Sequence, residues 1–330
     1  MSELTGLGNM SGFSTTNGLK IFSGNSNPEF AHKVATEAGV ELGHCDISRF
    51  ADGEVRVEIH ESVRGCNVFV IQSTSPPVNE NYMELFMIVD ALKRASAADI
   101  TLVMPYYGYA RQDRKVAPRA PISAKCVAKL CEAAGARRMV VVDLHSSQIQ
   151  GFFDGPVDHL FAIPTLARAW RQKMGFGQDF VCVSPDAGGV ERARAFAKRI
   201  ECSMAIIDKR RSGPNEAQAL HLIGDVADKT AIILDDMIDT AGTMVQAVDS
   251  LLKNGAKRVF AVATHPVLSG PAISRLNESR IEKVWVTDSI PLKDEAKECK
   301  KIEVVSVAPV VAEAIRRIYT YDSVSALFDN

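Results

Sequence analysis

A nine-residue segment at 235–243 combines carboxylates, hydroxyls and a glycine directly after an apolar run. It reads Asp-Asp-Met-Ile-Asp-Thr-Ala-Gly-Thr, and the preceding residues 230–234 have the composition of a buried strand. Backbone N–H groups at the start of a helix bind phosphate well. Gly242 lets a ligand approach the backbone, while Thr240 and Thr243 add hydroxyl donors. The segment therefore predicts a phosphate-binding turn.

Two adjacent carboxylates, Asp235 and Asp236, would repel a phosphate that they faced. They suit a sugar whose phosphate lies in the turn, either as acceptors for vicinal hydroxyls or as indirect magnesium ligands. The alternative is an acidic helix cap, which the helix dipole stabilises by about 0.3–1 kcal/mol per charge. A cap does not need so many acidic and hydroxyl residues together with a glycine, which favours the phosphosugar site.

Two basic clusters lie elsewhere in the chain. The first follows an apolar run at 101–104, lies next to Tyr106, Tyr107 and Tyr109, and contains Arg111, Arg114, Lys115 and Arg119. The second precedes a segment rich in helix breakers and consists of Lys209, Arg210 and Arg211. Either cluster could be a solvated face or could hold phosphates, and the first could also bind RNA. The chain has no G-x-x-x-x-G-K-[ST] loop, so ATP would need another kind of site.

A histidine and an aspartate each follow an apolar run. His145 comes after the predicted strand core at 139–142, and Asp186 follows residues 180–183. A lone histidine is more often a structural hydrogen-bonding group than a ligand. Magnesium, however, keeps several waters and takes oxygens from substrate phosphates, so a site with few protein ligands suits it. The residues alone leave both roles open.

Short apolar runs alternate with segments of helical period along most of the chain. The predicted strands are residues 68–72, 101–104, 139–144, 180–183, 204–207, 231–234, 259–264, 284–287 and 303–307. Asn27 and Pro28 are expected to open a helix that Gly39 closes, and Asn254 with Gly255 closes another. Apolar strands separated by helices predict parallel sheets covered on both faces, an α/β fold. Ligands of such sheets bind beyond the carboxyl ends of the strands.

The length of 330 residues suggests two domains at about 150 residues each. We expect a disordered arm at 1–17, an N-terminal domain at 18–160 and a C-terminal domain at 161–330. Two segments 120 residues apart, 135–145 and 255–265, share Gly-Ala, two cations, an apolar strand and a histidine. Duplication or convergence on a common unit would explain this pattern, and it favours two similar halves.

Charge and hydropathy exclude several classes of function. The chain has 38 Lys and Arg residues against 40 Asp and Glu, a net charge of −2, which argues against a polybasic nucleic-acid-binding protein. No apolar run reaches the ~18–20 residues that span a bilayer. The first 17 residues lack a signal-peptide pattern, and the seven cysteines form no C-x-x-C pair. We expect a cytoplasmic protein without nucleic-acid or membrane partners.

Five further segments narrow the function. They are Phe-Ala-Asp-Gly-Glu at 50–54, the tyrosine- and arginine-rich run at 106–115, Asp-Leu-His at 143–145, Ser-Pro-Asp-Ala-Gly-Gly at 184–189 and Asp-Lys-Arg-Arg at 208–211. The segment 235–243 resembles the phosphoribosyl-diphosphate motif of the phosphoribosyltransferase superfamily. In this order, over residues 19–328, the set is similar to class I ribose-phosphate pyrophosphokinases. The resemblance implies two similar phosphoribosyltransferase-like domains, each a mainly parallel sheet flanked by helices.

The resemblance also implies a reaction. The β,γ-diphosphoryl group of ATP would be transferred to the 1-hydroxyl of ribose 5-phosphate, giving AMP and 5-phosphoribosyl 1-diphosphate, a precursor of nucleotides, histidine and tryptophan. By the same resemblance, His145 and Asp186 hold Mg²⁺, and Lys209 and Arg211 stabilise the transition state. The implied ATP site is Phe50, Asp52, Gly53, Glu54, Arg111 and Gln112. The implied ribose 5-phosphate site is Arg211, Asp235, Asp236, Asp239, Thr240, Ala241, Gly242 and Thr243.

One site residue departs from the family, in which the position of Ala241 is often glycine. Alanine suits such a turn unless its φ is positive. The resemblance further implies a homo-oligomer, usually a hexamer, that ADP and inorganic phosphate regulate. The regulatory site would fall on Ser146, Ser147, Gln148, Ser323 and Ser325.

Two other functions remain open. A phosphoribosyltransferase that consumes the diphosphate would share segment 235–243 but would not need the ATP-like segments. A non-catalytic regulatory subunit could keep the fold, but it would not need the intact His145 and 209–211.

Overall fold

The structure is a computed structural model that describes residues 18–210 and 219–328, except for the side chains of residues 209, 210, 219 and 220. Within these residues the chain has fourteen strands and nine α-helices. The strands are β1 (Leu19–Ser23), β2 (Cys45–Arg49), β3 (Val55–Ile59), β4 (Asn67–Ile71), β5 (Asp99–Met104), β6 (Arg138–Val142), β7 (Val157–Leu160), β8 (Phe180–Ser184), β9 (Ser203–Arg210), β10 (Ala219–Ile223), β11 (Thr230–Ile238), β12 (Arg258–Pro266), β13 (Val284–Thr287) and β14 (Ile302–Val305). The α-helices are α1 (Pro28–Ala38), α2 (Val78–Arg94), α3 (Ser123–Ala134), α4 (Ile163–Met174), α5 (Val190–Ile200), α6 (Gly242–Lys253), α7 (Ala272–Glu278), α8 (Asp294–Lys297) and α9 (Ala308–Thr320). Two 3₁₀ helices cover Ser147–Phe152 and Ser325–Leu327. The predicted arm at 1–17 lies outside the described residues.

Most strands belong to two large sheets. The first has the order β1-β4-β5-β6-β7 and is parallel throughout. The second has the order β10-β9-β8-β11-β12-β13-β14 and is parallel except for β10, which runs antiparallel to β9. β2 and β3 form a separate antiparallel hairpin. The prediction of an α/β fold with mainly parallel sheets flanked by helices is confirmed.

Five strands, β1, β2, β3, β7 and β10, are absent from the predicted set. β2 and β3 place half-buried residues between exposed, mostly charged ones, so neither forms an apolar run. β7 lies at the edge of its sheet and contains Asp158 and His159. β11 was predicted too short: it runs to Ile238, so Asp235 and Asp236 lie within the strand and not after it.

The helix ends follow the predicted capping residues. Asn27 caps α1, and its Oδ1 accepts a hydrogen bond of 3.3 Å from the backbone N–H of Phe30. Gly39 ends the same helix at a φ of 75°, which glycine adopts without steric penalty. Asn254 and Gly255 follow the last residue of α6, as predicted.

The second half has an aromatic cluster at its centre. Trp170 of α4 is fully buried. Its ring centroid lies 5.3 Å from that of Phe260, 5.4 Å from Trp285, 5.9 Å from Phe180 and 6.3 Å from Phe196. These rings come from three strands and a second helix, so Trp170 joins one face of the second sheet to its covering helices.

The same core continues into the first half. α1 packs against α9, and buried residues of both helices belong to the cluster that contains Trp170. β7, the last strand of the first sheet, ends at Leu160, and α4 begins at Ile163. The division into two domains near residue 160 stays a prediction. Within the described part of the chain, no helix is long and apolar enough to cross a membrane.

Candidate functional site

Two polar contacts join the halves where strands end. His145, three residues after β6, contacts Asp236 of β11, with 2.7 Å between Nδ1 and Oδ2. Arg111, in the loop after β5, donates to Asp239 after β11, with 2.6 Å between Nη1 and Oδ2. Both contacts lie at or beyond the carboxyl-terminal parts of parallel strands, where ligands of such sheets bind.

The pair of Arg111 and Asp239 connects the two predicted substrate sites. Burial alone would raise the pKa of Asp239, but the hydrogen bond from Arg111 holds that pKa below its usual range. Both side chains remain partly open to solvent, so the pair adds little to stability. Its importance is positional, because it brings a residue predicted to bind ATP to one predicted to bind ribose 5-phosphate.

The turn at 239–243 leads directly into α6. In the described part of the chain no side chain caps this helix, so its first N–H groups can bind an anion. Arg275 of α7 donates from Nη1 to the carbonyl oxygen of Thr240 at 2.9 Å. A Cβ added to Gly242 would lie 3.1 Å from the same Nη1. Sequence reasoning missed Arg275, whose position beside the turn comes only from the packing of α7.

Ala241 has a φ of 59°, so the condition that makes alanine unfavourable in this turn is met. The left-handed conformation costs a non-glycine residue about 1–2 kcal/mol. Glycine also gains unfolded-state entropy worth about 0.4–1 kcal/mol. Ala241→Gly is therefore expected to raise the free energy of unfolding by up to about 1 kcal/mol in urea titrations.

The matched control for that substitution is Ala247→Gly, in the interior of α6. There glycine has no positive φ to accommodate and is expected to lower the free energy of unfolding by at least about 0.5–1 kcal/mol. Equal losses in the two variants would show that Ala241 is not strained.

Asp235 and Asp236 differ in their surroundings although they are adjacent. Asp235 Oδ1 accepts a hydrogen bond of 2.9 Å from the backbone N–H of Asp236. Burial, together with the neighbouring carboxylate of Asp236, raises the pKa of Asp235. Burial also acts to raise the pKa of Asp236, but His145 and Arg192 hold that pKa below its usual range.

A cavity of about 750 Å³ lies beside His145. Its lining includes Asp113, Ser146, Ser147, Gln148, Arg192 and Phe328. The size falls within the range of about 300–1,000 Å³ that is usual for small-molecule sites. Arg192 of α5 was not predicted, because an arginine in a charged helix is typical of a solvated face.

The predicted regulatory residues fall into two groups. Ser146, Ser147 and Gln148 line the cavity. Ser323 and Ser325 are not in its lining; their Oγ atoms lie 2.9 Å apart.

The C-terminal segment that contains Ser323 and Ser325 nevertheless reaches the cavity, because Phe328 lies in its lining. Its ring centroid lies 5.4 Å from that of Phe161, and both residues line the cavity.

His145 and Asp186 remain the predicted magnesium ligands. His145 Nδ1 is occupied by Asp236, and Nε2 has no hydrogen-bond partner among the described residues. Asp186 is exposed, and Oδ1 accepts a hydrogen bond of 3.0 Å from the backbone N–H of Gly189. No group of three or more His, Cys, Asp or Glu residues in the described ranges could hold a metal. A pair of ligands still fits magnesium, which takes its other oxygens from water and phosphates.

The structure does not bring together the two parts of the predicted ATP site. Phe50, Asp52, Gly53 and Glu54 form the tip of the β2–β3 hairpin, and the Phe50 side chain is 53% exposed. No hydrogen bond, ion pair or ring contact among the described residues joins this tip to Arg111 or Gln112. Within one chain, the hairpin and Arg111 are separate features.

The predicted catalytic cations lie at the limit of the described chain. The backbone of Lys209 belongs to β9 and pairs with Leu220 of β10. Its side chain, and the whole of Arg211, lie outside the described residues. Because β9 runs parallel to β8, its end lies at the same edge of the sheet as the end of β8, which leads to Asp186.

Comparisons with known proteins agree with this geometry. The model of the N-terminal domain of ribose phosphate pyrophosphokinase matches residues 19–135, and that of the phosphoribosyl synthetase-associated domain matches residues 210–329. Ribose-phosphate pyrophosphokinases of Oceanobacillus iheyensis and Bacillus subtilis are 56% and 55% identical to this chain, and each match covers 94% of this chain and 97% of the relative. The crystal structure of phosphoribosylpyrophosphate synthetase from Mycobacterium smegmatis matches with a TM-score of 0.86 and 44% identity, over 92% of this chain and 99% of that one. The chain therefore belongs to the ribose-phosphate pyrophosphokinase family.

Proposed function

We propose that the chain transfers the β,γ-diphosphoryl group of ATP to the 1-hydroxyl of ribose 5-phosphate, giving AMP and 5-phosphoribosyl 1-diphosphate. The observation that carries the proposal is the contact of 2.6 Å between Arg111 and Asp239. This contact supports the proposal, because a transfer between two bound substrates requires them to lie side by side and these two residues were predicted to bind different substrates. The relatives named for this activity match nearly the whole chain.

In this reaction the turn before α6 binds the 5-phosphate of the sugar. The N–H groups that open α6 donate to the phosphate, while Thr240 and Thr243 add hydroxyl donors. Asp235 and Asp239 accept hydrogen bonds from the ribose hydroxyls. The 1-hydroxyl is then free to attack the β-phosphorus in line, and AMP leaves without a covalent enzyme intermediate.

ATP binds on the side of Arg111, whose guanidinium offsets phosphate charge. His145 and Asp186 would hold Mg²⁺, which supplies charge neutralisation for the phosphate oxygens when bound. Lys209 and Arg211 stabilise the charge that develops on the transferred group.

The products distinguish this reaction from an ordinary kinase. We expect ³¹P NMR of the protein with ATP, ribose 5-phosphate and Mg²⁺ to show AMP and a new diphosphate ester. A control without ribose 5-phosphate should show neither product. Formation of ADP in place of AMP would contradict diphosphoryl transfer.

We further propose a homo-oligomer, a hexamer by analogy with the family, that responds to ADP and inorganic phosphate. The exposed hairpin tip around Phe50 supports an assembly, because a second copy could bring this part of the ATP site to Arg111. Sedimentation velocity tests the assembly. The predicted regulatory residues are tested by initial rates with added ADP or phosphate in Ser146→Ala and Ser323→Ala variants.

A further inference from the structure

We propose that Asp236 is a positioning residue for His145 and does not bind ribose 5-phosphate, so that of the two adjacent carboxylates only Asp235 faces the sugar. This inference rests on the proposed diphosphoryl transfer, and it differs from the sequence-based prediction that both aspartates belong to the sugar site. It concerns the ATP and magnesium side of the site, and it assigns to that side a residue from the segment that binds the sugar.

The carboxylate of Asp236 is enclosed by His145 and Arg192. Its side chain is only 7% exposed. Oδ2 lies 2.7 Å from Nδ1 of His145, and Oδ1 lies 4.0 Å from Nη1 of Arg192. A ribose hydroxyl would therefore have to displace His145 or Arg192 and enter a buried position, which would take a hydrogen-bonding or charged partner away from a buried carboxylate.

The two aspartates also differ in access. Asp235 is half-buried, whereas Asp236 is buried. The carboxylate of Asp235 is therefore the one that a sugar hydroxyl can reach, while that of Asp236 contacts His145.

The contact determines which nitrogen of His145 is available. A neutral ring that donates Nδ1–H to Asp236 presents the lone pair of Nε2, which no described residue occupies. Histidine ligands of metals usually donate their other N–H to a carboxylate or carbonyl in this way. His145 also lines the cavity, so Asp236 fixes a ring that faces this cavity.

Two substitutions, Asp236→Asn and Asp235→Asn, test the assignment because each should affect the binding of only one of the two substrates. In the absence of ribose 5-phosphate, isothermal titration with Mg²⁺ and ATP should show that Asp236→Asn weakens binding by about 10- to 100-fold. Its KM for ribose 5-phosphate should not change. Asp235→Asn should give the reverse: a raised KM for ribose 5-phosphate with unchanged affinity for Mg²⁺ and ATP. An Asp236→Asn variant with a raised KM for ribose 5-phosphate and normal nucleotide affinity would overturn the proposal.

A double-mutant cycle isolates the action through His145. In a His145→Asn background, Asp236→Asn should cause no further loss of Mg²⁺ and ATP affinity, because the ring that it positions is gone. Additive losses would refute the positioning role. Thermal unfolding checks that each variant folds, and Asp236→Glu, which displaces the carboxylate by one methylene, undergoes the same titrations if Asp236→Asn does not fold. A wild-type protein that binds Mg²⁺ and ATP but forms no AMP contradicts the proposed function instead.

Discussion

Lys209→Ala is expected to lower kcat by about 100- to 1000-fold, or roughly 2.7–4 kcal/mol of transition-state stabilisation, while ATP still binds. The backbone of Lys209 lies near the end of β9, at the sheet edge that also carries Asp186 and the turn at 239–243. A cation at this edge of the sheet can offset the negative charge on the transferred diphosphoryl group. Initial rates of AMP formation measure kcat, and equilibrium dialysis measures ATP affinity.

The control for this substitution is Lys257→Ala. Lys257 lies just before β12, at the opposite edge of the same sheet, where it forms an exposed ion pair of 3.5 Å with Asp228. Loss of this cation should leave kcat unchanged. Near-normal turnover in Lys209→Ala would remove Lys209 from the mechanism.

Trp170→Ala is expected to cause the largest loss of stability, about 3–5 kcal/mol in the free energy of unfolding. Trp170 is fully buried and contacts four aromatic rings, so its removal leaves a cavity that the surrounding strands cannot fill. Urea unfolding monitored by circular dichroism measures the loss.

Phe176→Ala provides the comparison, because this aromatic side chain is 54% exposed and packs mainly against the guanidinium of Arg171. A cation–π contact of this exposed kind is worth about 0.5–1 kcal/mol. Losses of similar size in Trp170→Ala and Phe176→Ala would contradict the central role of Trp170.

The fold could be predicted from the sequence where a buried strand is apolar throughout and where a capping residue marks the end of a helix. Apolar runs identified the central strands of both sheets, and Asn27 and Gly39 marked the ends of α1. The β2–β3 hairpin was not predictable from apolar runs, because exposed charged residues alternate with its half-buried ones. The extension of β11 through Asp235 and Asp236 was also missed. Carboxylates disfavour strands locally, and pairing of Asp235, Met237 and Ile238 with β12 overrides that preference.

The repeated pattern at 135–145 and 255–265 shows a further limit of sequence reasoning. Both segments contain a helix end, a glycine with positive φ and a parallel strand. Their histidines nevertheless have different surroundings. His265 is buried and bonds to Ser289 and to the carbonyl oxygen of Asp143, whereas His145 reaches the cavity. Tertiary packing, which the pattern does not encode, separates these two environments.

Predicted site residues came from motifs, and their mutual contacts came from the fold. His145 and Asp236 are 91 positions apart in the chain, so their contact has no local signal. Arg192 and Arg275 lie on helices whose composition is typical of solvated faces. The roles of the ATP-site, metal and regulatory residues stay predictions, which the variants described above test.

The ion pair between Arg111 and Asp239 means that Arg111 has a counter-ion within the protein. A phosphate that binds Arg111 replaces the carboxylate of Asp239 as the partner of the guanidinium, which is never without a counter-ion. The free energy of phosphate binding is then the difference between the free energies of two ion pairs. Dissolved salt screens both pairs, so its effect on the difference is small. We therefore infer that substrate affinity depends less steeply on ionic strength than the number of nearby cations would suggest. We also infer that the phosphate that binds Arg111 releases the Asp239 carboxylate, which can then accept hydrogen bonds from the sugar hydroxyls.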